Sequence, residues 1–535
     1  MGTDKNWYKQ AVGYQIYPKS FKDSNGDGIG DLQGIKEKLS YIKSLGVDFI
    51  WLNPIYASPQ VDGGYDISDF YNVDPMFGTM ADFQELLAEC HKLGMKLIMD
   101  LVVNHTSNKH EWFIESQKSK DNPYRDYYLW ADATEDKMPN NWRSFFGIPA
   151  WTYQKQTKQA YFHIFAAEQP DLNWKNPKLR DEIYKMVRWW LGEVGIDGFR
   201  LDAISHIQKM DWDFKLKSFN GDDPWEPFMN VAGIEDYMRA LKDIFDEYDA
   251  YTVGEASGVR SNNGAADWTD KKTGFLNGIF ELEHNWRLPD GRGDIYGYKK
   301  VVTRWQKDLL ERGWNALYIE NHDMPRSISI FGDGSITSAK ALAVQYMLLR
   351  GTPFIYYGQE IGMSNYPFKD ISEVKAEDTR THYFNALKDG LSEKEAFFRN
   401  VLNSRDVGRT PMQWTGEKYA GFTTVKPWMA VNPEYKTVNA EKSVELFGLY
   451  QNLIKLRHDE KAIQDGSIKF YFERSKQVFC YMRDEFLIIV NLSSQSGAVK
   501  FVDKQGELEQ VLGSRQRTFV PNMRLQPWEY QVFKK

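Results

Sequence analysis

Eight short apolar runs, rich in β-branched and aromatic residues, recur along the chain, and segments with helical periodicity separate many of them. The helical segments include "MADFQELLAECHKLG" and "NPKLRDEIYKMVRWWLGEVG". Alternation of strands and helices predicts a parallel sheet. Eight such units favour an α/β protein built as a closed (β/α)8 TIM barrel, although an open doubly wound sheet would give the same alternation. The runs begin at Val12, Val47, Lys96, Ile196, Ala250, Gly278, Trp314 and Pro353.

Two intervals are longer than a minimal barrel requires, and a different pattern follows the last run. Residues 105–174 are polar and aromatic, and we expect them to form a domain inserted after strand three. A second excursion, 370–414, is expected to be irregular. After a last helix, apolar and polar residues alternate over 464–535, which predicts a small antiparallel β-sandwich. The barrel itself would then comprise 1–104 and 175–463.

Composition and charge argue against several classes of protein. The net charge of -7 offers no basic face for a nucleic acid, and no run of apolar residues is long enough to span a membrane. The two cysteines, Cys90 and Cys480, exclude a disulfide framework and favour a reducing compartment. Because the N-terminus also lacks an apolar signal region, we expect a cytoplasmic protein, with a monomer favoured. The 15% aromatic content suits sugars, whose C–H faces stack on rings.

Polar residues that could take part in catalysis directly follow four of the predicted strands. In a barrel of this kind the functional residues lie at the carboxyl ends of the strands, so these side chains would converge on one pocket. A single Asp at a strand end is usually a cap or turn residue, but three carboxylates with an Arg and two His are hard to explain as capping. The residues are Asn104-His105, Arg200-Leu201-Asp202, Glu255 and Asn321-His322-Asp323.

Two carboxylates in different environments are what cleavage of a glycosidic bond requires. One carboxylate attacks the anomeric carbon, and the other donates a proton to the leaving oxygen. Arg200 lies two residues before Asp202, so both side chains can point to the inner face of the barrel. We expect Arg200 to lower the pKa of Asp202 and keep it ionised.

Short motifs in this order carry a family resemblance. "DLVVNH", "GFRLD", "VGE" and "ENHD" resemble the four conserved regions of the α-amylase superfamily, glycoside hydrolase family 13. "QPDLN" from Gln169 and "RTPMQW" from Arg409 are similar to the oligo-1,6-glucosidase and α-glucosidase subfamily. The resemblance covers nearly the whole chain. It implies retaining chemistry on α-glucosides through a covalent glucosyl-enzyme.

The resemblance implies a role for each residue at the strand ends. Asp202 would be the nucleophile and Glu255 the general acid/base, with carboxyl groups roughly 5–5.5 Å apart. Asp323 would stabilise the distorted sugar and the transition state. His105 and His322 would bind hydroxyl groups of the terminal glucose.

Further matches with the family describe a pocket that is closed at one end. Asp62 and Tyr65 would lie at that end, where Asp62 is expected to pair with Arg409 and hold the non-reducing glucose. A closed pocket accepts only a chain terminus, so an exo-acting enzyme on small oligosaccharides is expected. Phe146, Phe165 and Gln169 match positions that line the same subsite. For the two phenylalanines, a place in the core of the inserted domain is the alternative.

Ala203, directly after the nucleophile, matches a position that resembles a specificity switch in the family. Valine there accompanies α-1,6 preference, whereas smaller residues or threonine accompany α-1,4 preference. A β-branched side chain is stiff and broad, while an Ala methyl group leaves room for an α-1,4-linked sugar. We therefore expect α-1,4 linkages to be preferred, as in maltose, with some α-1,6 cleavage remaining.

The segment "DSNGDGIGD" spaces oxygen-bearing side chains two residues apart. It matches the first part of a calcium loop, but Gly34 stands where an EF-hand needs a bidentate Glu. It resembles the calcium loop after the first barrel strand of the subfamily, which implies a structural Ca²⁺. A glycine-rich turn without metal is the alternative. The expected ligands are Asp23, Asn25, Asp27, the carbonyl of Ile29, and Asp31.

Four functions compete. The first is an exo-α-glucosidase acting on short gluco-oligosaccharides, and an α-1,6-specific oligo-1,6-glucosidase is its variant. The second is a sucrose isomerase, whose relatives carry an R-L-D-R-D loop from which "RLPDGRG" beginning at Arg287 departs. The third is trehalose-6-phosphate hydrolysis, for which no decisive phosphate-binding cluster is evident. The fourth is a non-catalytic transporter heavy chain. Proteins of that kind need a membrane anchor and lack the full set of carboxylates, whereas this sequence keeps all three.

Overall fold

The computed structural model of the protein describes residues 5–214, 225–259, 264–283, 292–502 and 506–535. Most of the secondary structure belongs to a barrel, and the remainder forms smaller sheets and helices attached to it. Within these ranges the strands β1 to β20 are Gly13–Ile16, Phe49–Leu52, Tyr56–Ala57, Asp69–Val73, Lys96–Val102, Trp130–Asp132, Trp151–Gln154, Gln159–Phe162, Gly198–Asp202, Tyr251–Glu255, Gly278–Phe280, Asn315–Leu317, Thr352–Tyr356, Lys469–Tyr471, Val478–Arg483, Phe486–Asn491, Gly497–Lys500, Glu509–Gly513, Asn522–Leu525 and Tyr530–Lys534. Over the same ranges the helices α1 to α14 are Leu32–Glu37, Leu39–Leu45, Met80–Lys92, Glu111–Ser116, Pro177–Arg188, Ile234–Glu247, Ala265–Thr269, Ile295–Asp308, Ser327–Ile330, Ile336–Met347, Glu377–Lys388, Glu393–Asn400, Val444–Asp459 and Lys461–Asp465.

Eight parallel strands close into a barrel in the order β1-β13-β12-β11-β10-β9-β5-β2. Each of the eight apolar runs contains one of these strands, so the predicted (β/α)8 architecture is confirmed. These strands are almost entirely buried, as expected for strands with the barrel interior on one face and helices on the other. The seventh strand, β12, ends at Leu317, and the loop after it carries Asp323.

Strand register brings the two central carboxylates to the same level. Leu201 of β9 pairs with Gly254 of β10, so the next residues, Asp202 and Glu255, lie side by side at the strand ends. Gly198 begins β9 with a φ of +154°, and a Cβ there would lie 1.9 Å from the carbonyl oxygen of Tyr251. Only glycine permits this close approach of the two strands.

The inserted segment between β5 and β9 forms a three-stranded antiparallel sheet in the order β6-β8-β7. It has its own hydrophobic cluster, which includes Trp142, Trp151 and Phe162. The beginning and end of the insertion meet, because His105 and Asp171 form an isolated antiparallel bridge. The insertion therefore lies over the carboxyl ends of the barrel strands.

The second excursion is helical, so the expectation of an irregular segment is wrong. Helices α11 and α12 form a hairpin with a small core of its own that includes Phe368, Val374 and Tyr383. Helix α12 begins with a capping box formed by Ser392 and Glu395, a local signal that the sequence does contain. Asp378 of α11 pairs with Arg405, a residue that follows the hairpin and lines the pocket.

The C-terminal region is antiparallel, as predicted. A five-stranded sheet runs in the order β14-β15-β16-β20-β18, and a two-stranded sheet pairs β17 with β19. One hydrophobic cluster contains residues of both sheets, among them Ile489, Val499 and Leu525. The two sheets thus share a core as in a β-sandwich.

Candidate active site

Arg200 is the centre of the residues at the strand ends. Its Nη1 lies 2.6 Å from Asp100 and 2.6 Å from Asp202, while its Nη2 lies 2.7 Å from Glu255. One buried guanidinium group therefore contacts three carboxylates, of which Asp202 and Glu255 face the cavity. Arg is suited to such sharing because its donors are fixed in a planar fork. The carboxyl separation of Asp202 and Glu255 stays a prediction.

The charge balance around Arg200 corrects one expectation. Burial raises the pKa of Asp202 well above its usual range, and the charges of Glu255 and Asp100 add to this effect. Arg200 opposes the rise, but three carboxylates around one guanidinium group leave an excess of negative charge. In the substrate-free pocket Arg200 limits the pKa of Asp202 without lowering it below normal.

One end of the cavity is lined by three charged residues, Asp62, Asp323 and Arg405, and Arg409 lies behind them; we call these four residues the closed end. Arg405 lies 2.5 Å from Asp62 and 3.1 Å from Asp323, while Arg409 lies 2.8 Å from Asp323. The predicted pairing of Asp62 with Arg409 is therefore wrong, since Arg405 is its ionic partner. The reason is positional, because Nε of Arg409 donates to the carbonyl of His322, so that its other nitrogens reach Asp323.

The two carboxylates of the closed end differ in their protonation energetics. Burial raises the pKa of Asp62, and Arg405 only partly offsets this effect. Burial also acts to raise the pKa of Asp323, but His322, Arg409 and Arg405 together hold it well below its usual range. Asp323 thus stays ionised, which its predicted role of stabilising positive charge requires.

Two histidines and a tyrosine connect the closed end to the barrel. His322 is fully buried and lies behind the wall, with Nε2 2.6 Å from the Tyr65 hydroxyl group and 3.1 Å from Asp323. The Tyr65 ring stacks on His322 at 5.4 Å and lines the cavity. His105 also lines the cavity, and burial lowers its pKa to about 3. His105 is therefore neutral near pH 7, and its Nε2 lies within hydrogen-bond distance of Gln169 and of the Tyr65 carbonyl oxygen.

The inserted domain supplies the aromatic part of the wall. Phe146 and Phe165 both line the cavity, which places them at the site as well as against the domain core. Gln169 is buried behind them, with Nε2 3.1 Å from the Asp62 carboxylate and 3.1 Å from Nε2 of His105. These contacts place the insertion precisely over the strand ends.

A buried lysine ties the insertion to the barrel. The Nζ atom of Lys209 lies 2.8 Å from the Asp171 carboxylate and donates to the Asn104 side chain at 2.8 Å. Burial lowers the pKa of Lys209, but the Asp171 charge favours the protonated ammonium. Because Asn104 immediately precedes His105, this ammonium group helps to hold a residue of the pocket in place.

Four residues form the part of the wall that we call the leaving-group side: Phe145, Ala203, His206 and Ser257. Ala203 is in the left-handed conformation, with φ 45° and ψ 31°. Its N–H group donates to Glu255 Oε2 at 3.2 Å. Non-glycine residues rarely adopt this conformation, and it is strained for β-branched ones. The backbone at Ala203 therefore contacts the predicted acid/base directly.

The cavity has a volume of about 120 Å³. Nine of the predicted site residues line it: Asp62, Tyr65, His105, Phe146, Phe165, Asp202, Ala203, Glu255 and Asp323. The prediction missed four: Phe145, His206, Ser257 and Arg405. Arg405 lies four residues before Arg409, and the sequence alone does not show which of the two arginines pairs with Asp62. His322, Gln169, Arg200 and Arg409 lie behind the wall and contact it.

The loop predicted to bind calcium is held by hydrogen bonds of its own. The Asp23 carboxylate accepts from the N–H groups of Gly26 and Gly28, and Asp31 accepts from Ser24. Gly28 has a φ of +91°, and a Cβ there would lie 2.4 Å from the carbonyl oxygen of Lys426. In the part of the chain that the structure describes, no group of three or more His, Cys, Asp or Glu side chains could hold a metal ion. Calcium binding stays a prediction.

Comparison with known proteins agrees with this architecture. A family model described as the α-amylase catalytic domain matches residues 15–466. The chain belongs to the α-amylase family. It is 48% identical to the probable oligo-1,6-glucosidase 3 of Bacillus subtilis, over 90% of this chain and 89% of that protein. Membership of this family makes the chain a glycoside hydrolase.

Solved structures in the α-amylase family share the whole fold. A trehalulose synthase mutant in complex with Tris superposes with a TM-score of 0.94 at 38% identity, over 99% of this chain and 100% of that one. Bacillus licheniformis trehalose-6-phosphate hydrolase superposes with a TM-score of 0.92 at 38% identity, over 98% and 99% of the two chains. The fold is thus shared by proteins named as a synthase and as a hydrolase, and it does not by itself fix the substrate.

Two further expectations bear on partners and location. None of the helices in the described ranges is long and apolar enough to cross a membrane. The segment "RLPDGRG", which was compared with the isomerase loop, lies outside the described residues from Arg287 to Gly291. Cytoplasmic location and a monomeric state stay predictions.

Proposed function

We propose that the protein is a retaining, exo-acting α-glucosidase that releases glucose from the non-reducing end of short gluco-oligosaccharides. The observation that carries this proposal is the placement of Asp202 and Glu255 on one guanidinium group, beside an end closed by charge pairs. In glycoside cleavage, one carboxylate of such a pair forms the bond to the sugar and the other transfers the proton. The closed end supplies the selection of a terminal sugar.

The mechanism has two displacements. In the reactive state the proton of this carboxylate pair is on Glu255, so the Glu255 charge that raises the pKa of Asp202 is absent and Asp202 is ionised. The Asp202 carboxylate attacks the anomeric carbon while Glu255 donates its proton to the leaving oxygen, which breaks the glycosidic bond. Glu255 then removes a proton from water, which attacks the glucosyl ester and releases α-glucose with Asp202 restored. Asp323, whose pKa is held low, stabilises the positive charge that develops on the sugar ring.

Exo action follows from the closed end. In this proposal the ion pair between Asp62 and Arg405 and the pairs of Asp323 would hold the terminal glucose and leave no place for a further sugar. A buried hydrogen-bonding charge pair recognises hydroxyl groups and rejects a ligand that lacks them. A glucose residue with a substituent on its non-reducing side would have to displace these pairs.

For the linkage we propose a preference for α-1,4 bonds, because the residue that lines the cavity at position 203, where the backbone N–H donates to Glu255, is an alanine with only a methyl side chain. Preference for α-1,6 bonds is the second candidate, and the name of the Bacillus subtilis relative favours it. The two candidates differ in where the leaving sugar lies relative to residue 203. Discrimination by one or two methyl groups is worth about 1–3 kcal/mol.

A substrate panel tests the proposal. Glucose release is measured from maltose, isomaltose, isomaltotriose, sucrose and trehalose-6-phosphate, and the first anomer released is identified by NMR. We expect maltose to be the best substrate and the α-anomer to appear first. Release of the β-anomer would contradict retention. Exclusive turnover of trehalose-6-phosphate, or conversion of sucrose to an isomer, would replace the proposed function by one of the alternatives.

For the loop 23–31 we propose a structural calcium ion. The donor set is chemically suitable, since Ca²⁺ takes carboxylate, amide and carbonyl oxygens. Asp23, Asn25, Asp27, the Ile29 carbonyl and Asp31 would hold the ion, which would supply charge neutralisation to the loop. Chelation with EGTA is expected to lower the melting temperature, because a ligand of the native state adds stability. Activity at low temperature should persist, and an unchanged melting temperature would contradict calcium binding.

A further inference from the structure

A second cleft is formed by residues that the proposed mechanism does not use. It lies between the segments 366–375 and 418–435 and has a volume of about 470 Å³. Pockets that hold small molecules span about 300–1,000 Å³. The residues that line it and those that line the active-site cavity are two separate sets. We call it the aromatic cleft, because aromatic rings make up much of its lining.

The rings of the aromatic cleft lie on both of its walls. Tyr366 and Phe368 lie on one wall with their ring centroids 4.8 Å apart, and Tyr419 and Trp428 lie on the other. Trp428 is held in place, because its Nε1 donates to the Ser20 hydroxyl group at 3.2 Å. Tyr419 and Trp428 are only half-buried. Rings that are fixed and partly exposed favour a ligand with a flat apolar face.

The backbone of one wall is strained. Tyr419 has φ 55° and ψ 29°, and Ala420 has φ 58° and ψ 20°, so both residues are left-handed. In the described ranges no other two adjacent non-glycine residues both have a positive φ. The Ala420 carbonyl oxygen accepts from the N–H groups of Trp414 and Thr415, both at 2.9 Å, which holds the pair in this conformation. Such strain is unusual for a bulky residue and clusters at ligand-binding sites.

The aromatic cleft also carries positive charge. Lys375, Lys418 and Lys426 line it, and Glu373 is the acidic residue of the lining. Within the part of the chain that the structure describes, none of the three ammonium groups forms an ion pair, and that of Lys418 lies over the Tyr419 ring at 4.7 Å. Three lysines against one carboxylate leave an excess of positive charge beside the rings.

The lining favours an anion over a neutral sugar. Among the described residues of the aromatic cleft there is no Asn, Gln, Asp or Arg side chain. Sugar hydroxyl groups are recognised by donors and acceptors of fixed direction, as at the closed end of the active site. A lysine ammonium group is a compact charge on a flexible stem, and it suits an anionic group better than a set of neutral hydroxyl groups.

We propose that the aromatic cleft binds a small anion with a flat apolar body. The flat body lies against Tyr419 and Trp428, and the anionic group meets Lys418 and Lys426. This binding site is additional to the proposed glucosidase site, and its ligand is not a substrate of that site.

The test uses AMP as the probe and adenosine as its matched partner, which has the same base and sugar but no phosphate group. Isothermal titration calorimetry measures both at low ionic strength. We expect AMP to bind the wild type about tenfold more tightly than adenosine, and about 0.5 M NaCl to remove most of this difference, because salt screens exposed charges.

Two sets of variants locate the site. Lys418→Gln/Lys426→Gln should bind AMP about tenfold more weakly and leave adenosine binding unchanged. Lys388→Gln/Lys394→Gln removes the same charge from exposed positions of the neighbouring hairpin and should bind AMP as the wild type does. Tyr419→Asn removes the ring but tolerates the left-handed backbone, so both ligands should bind about tenfold more weakly at an unchanged melting temperature.

Other results would overturn the proposal. Equal affinities for AMP and adenosine would mean that the charge has no part, and an equal loss in the two lysine variants would place the phosphate group elsewhere. Absence of saturable AMP binding to the wild type would refute the site altogether. A second maltotriose site that depends on Tyr419, measured in Asp202→Asn protein to prevent turnover, would make the cleft a sugar site instead. If Tyr419→Asn does not fold, the lysine variants decide the question alone.

Discussion

The two sides of the cavity are built from opposite kinds of chemistry. At the closed end, Asp62, Asp323, Arg405 and Arg409 form ion pairs within 3.1 Å of one another. The leaving-group side has Phe145, Ala203, His206 and Ser257, with no ionised side chain among them near pH 7. In the proposed function, the first sugar would be fixed by buried charge and the second selected by shape and single hydrogen bonds. The first selection should be strict and the second adjustable.

The largest effect is expected between the two sides, at the carboxylates themselves. Asp202→Asn and Glu255→Gln should each reduce kcat by several orders of magnitude, since proton transfer alone contributes about 10²–10⁴-fold. All substrates should suffer for Asp202→Asn, whichever side they contact. The exposed Asp132, changed to Asn, serves as the carboxylate control. Near-normal turnover by either variant, with an intact melting curve, would refute the assigned roles.

The next largest effect is expected from a substitution that removes an ion pair of the closed end. Arg405→Met should lower kcat/KM by about 10²-fold, because it leaves the buried Asp62 carboxylate without its ionic partner. Maltose and p-nitrophenyl α-glucoside should lose equally, since both place the same glucose at that end. Arg405→Lys keeps the charge but not the fork, so it should recover only part of the loss. A loss confined to the disaccharides would contradict the division of the cavity into two sides.

Ala203→Val examines the adjustable side and should change the ratio of maltose to isomaltose turnover by about tenfold towards isomaltose. The left-handed backbone at Ala203 adds a cost, because a β-branched residue is strained there. Ala203→Gly is the matched control, since it relieves strain without adding bulk, and it should preserve the ratio. The prediction is wrong if the valine variant keeps the wild-type ratio, or if the wild type already strongly prefers isomaltose.

The smallest expected effect concerns pH and leaves turnover near pH 7 unchanged. His163, a buried histidine of the inserted domain, has its pKa lowered to about 4 by burial. The unfolded chain takes up this proton near pH 6.5 and the folded one does not, so stability falls as the pH drops from 6.5 towards 4. Between pH 7 and pH 6 the wild type should lose roughly 0.7 kcal/mol more of its free energy of unfolding than His163→Gln loses. Urea unfolding at both pH values measures this difference, and an identical pH dependence in wild type and variant would contradict it.

The barrel could be predicted because its strands are short, continuous apolar runs that end in polar residues. The same strand ends identified Asp202 and Glu255, since register and topology bring residues at strand ends together whatever their separation in sequence. Asp323 was found through its motif, although it lies in the loop after β12.

Residues outside the regular strands were harder to predict. Arg405 and Arg409 are four residues apart, and only the fold shows which of them reaches Asp62. His206 belongs to none of the motifs described above. A histidine in an apolar stretch is usually a core residue, and only the structure shows that this one lines the cavity. The sign of the pKa change at Asp202 also required the structure, because it depends on how many carboxylates share Arg200.

The sharing of Arg200 has a consequence for the charge of the site during turnover. In the proposed reaction, formation of the glucosyl ester removes the negative charge of Asp202 at the moment when Glu255 gains one by giving up its proton. Both groups contact the same guanidinium group, at 2.6 Å and 2.7 Å. The total charge around Arg200 is therefore the same before and after the step, and only its position moves. Moving a charge within a fixed set of dipoles needs less rearrangement than creating one. The buried arginine can therefore keep its position while the negative charge passes from Asp202 to Glu255.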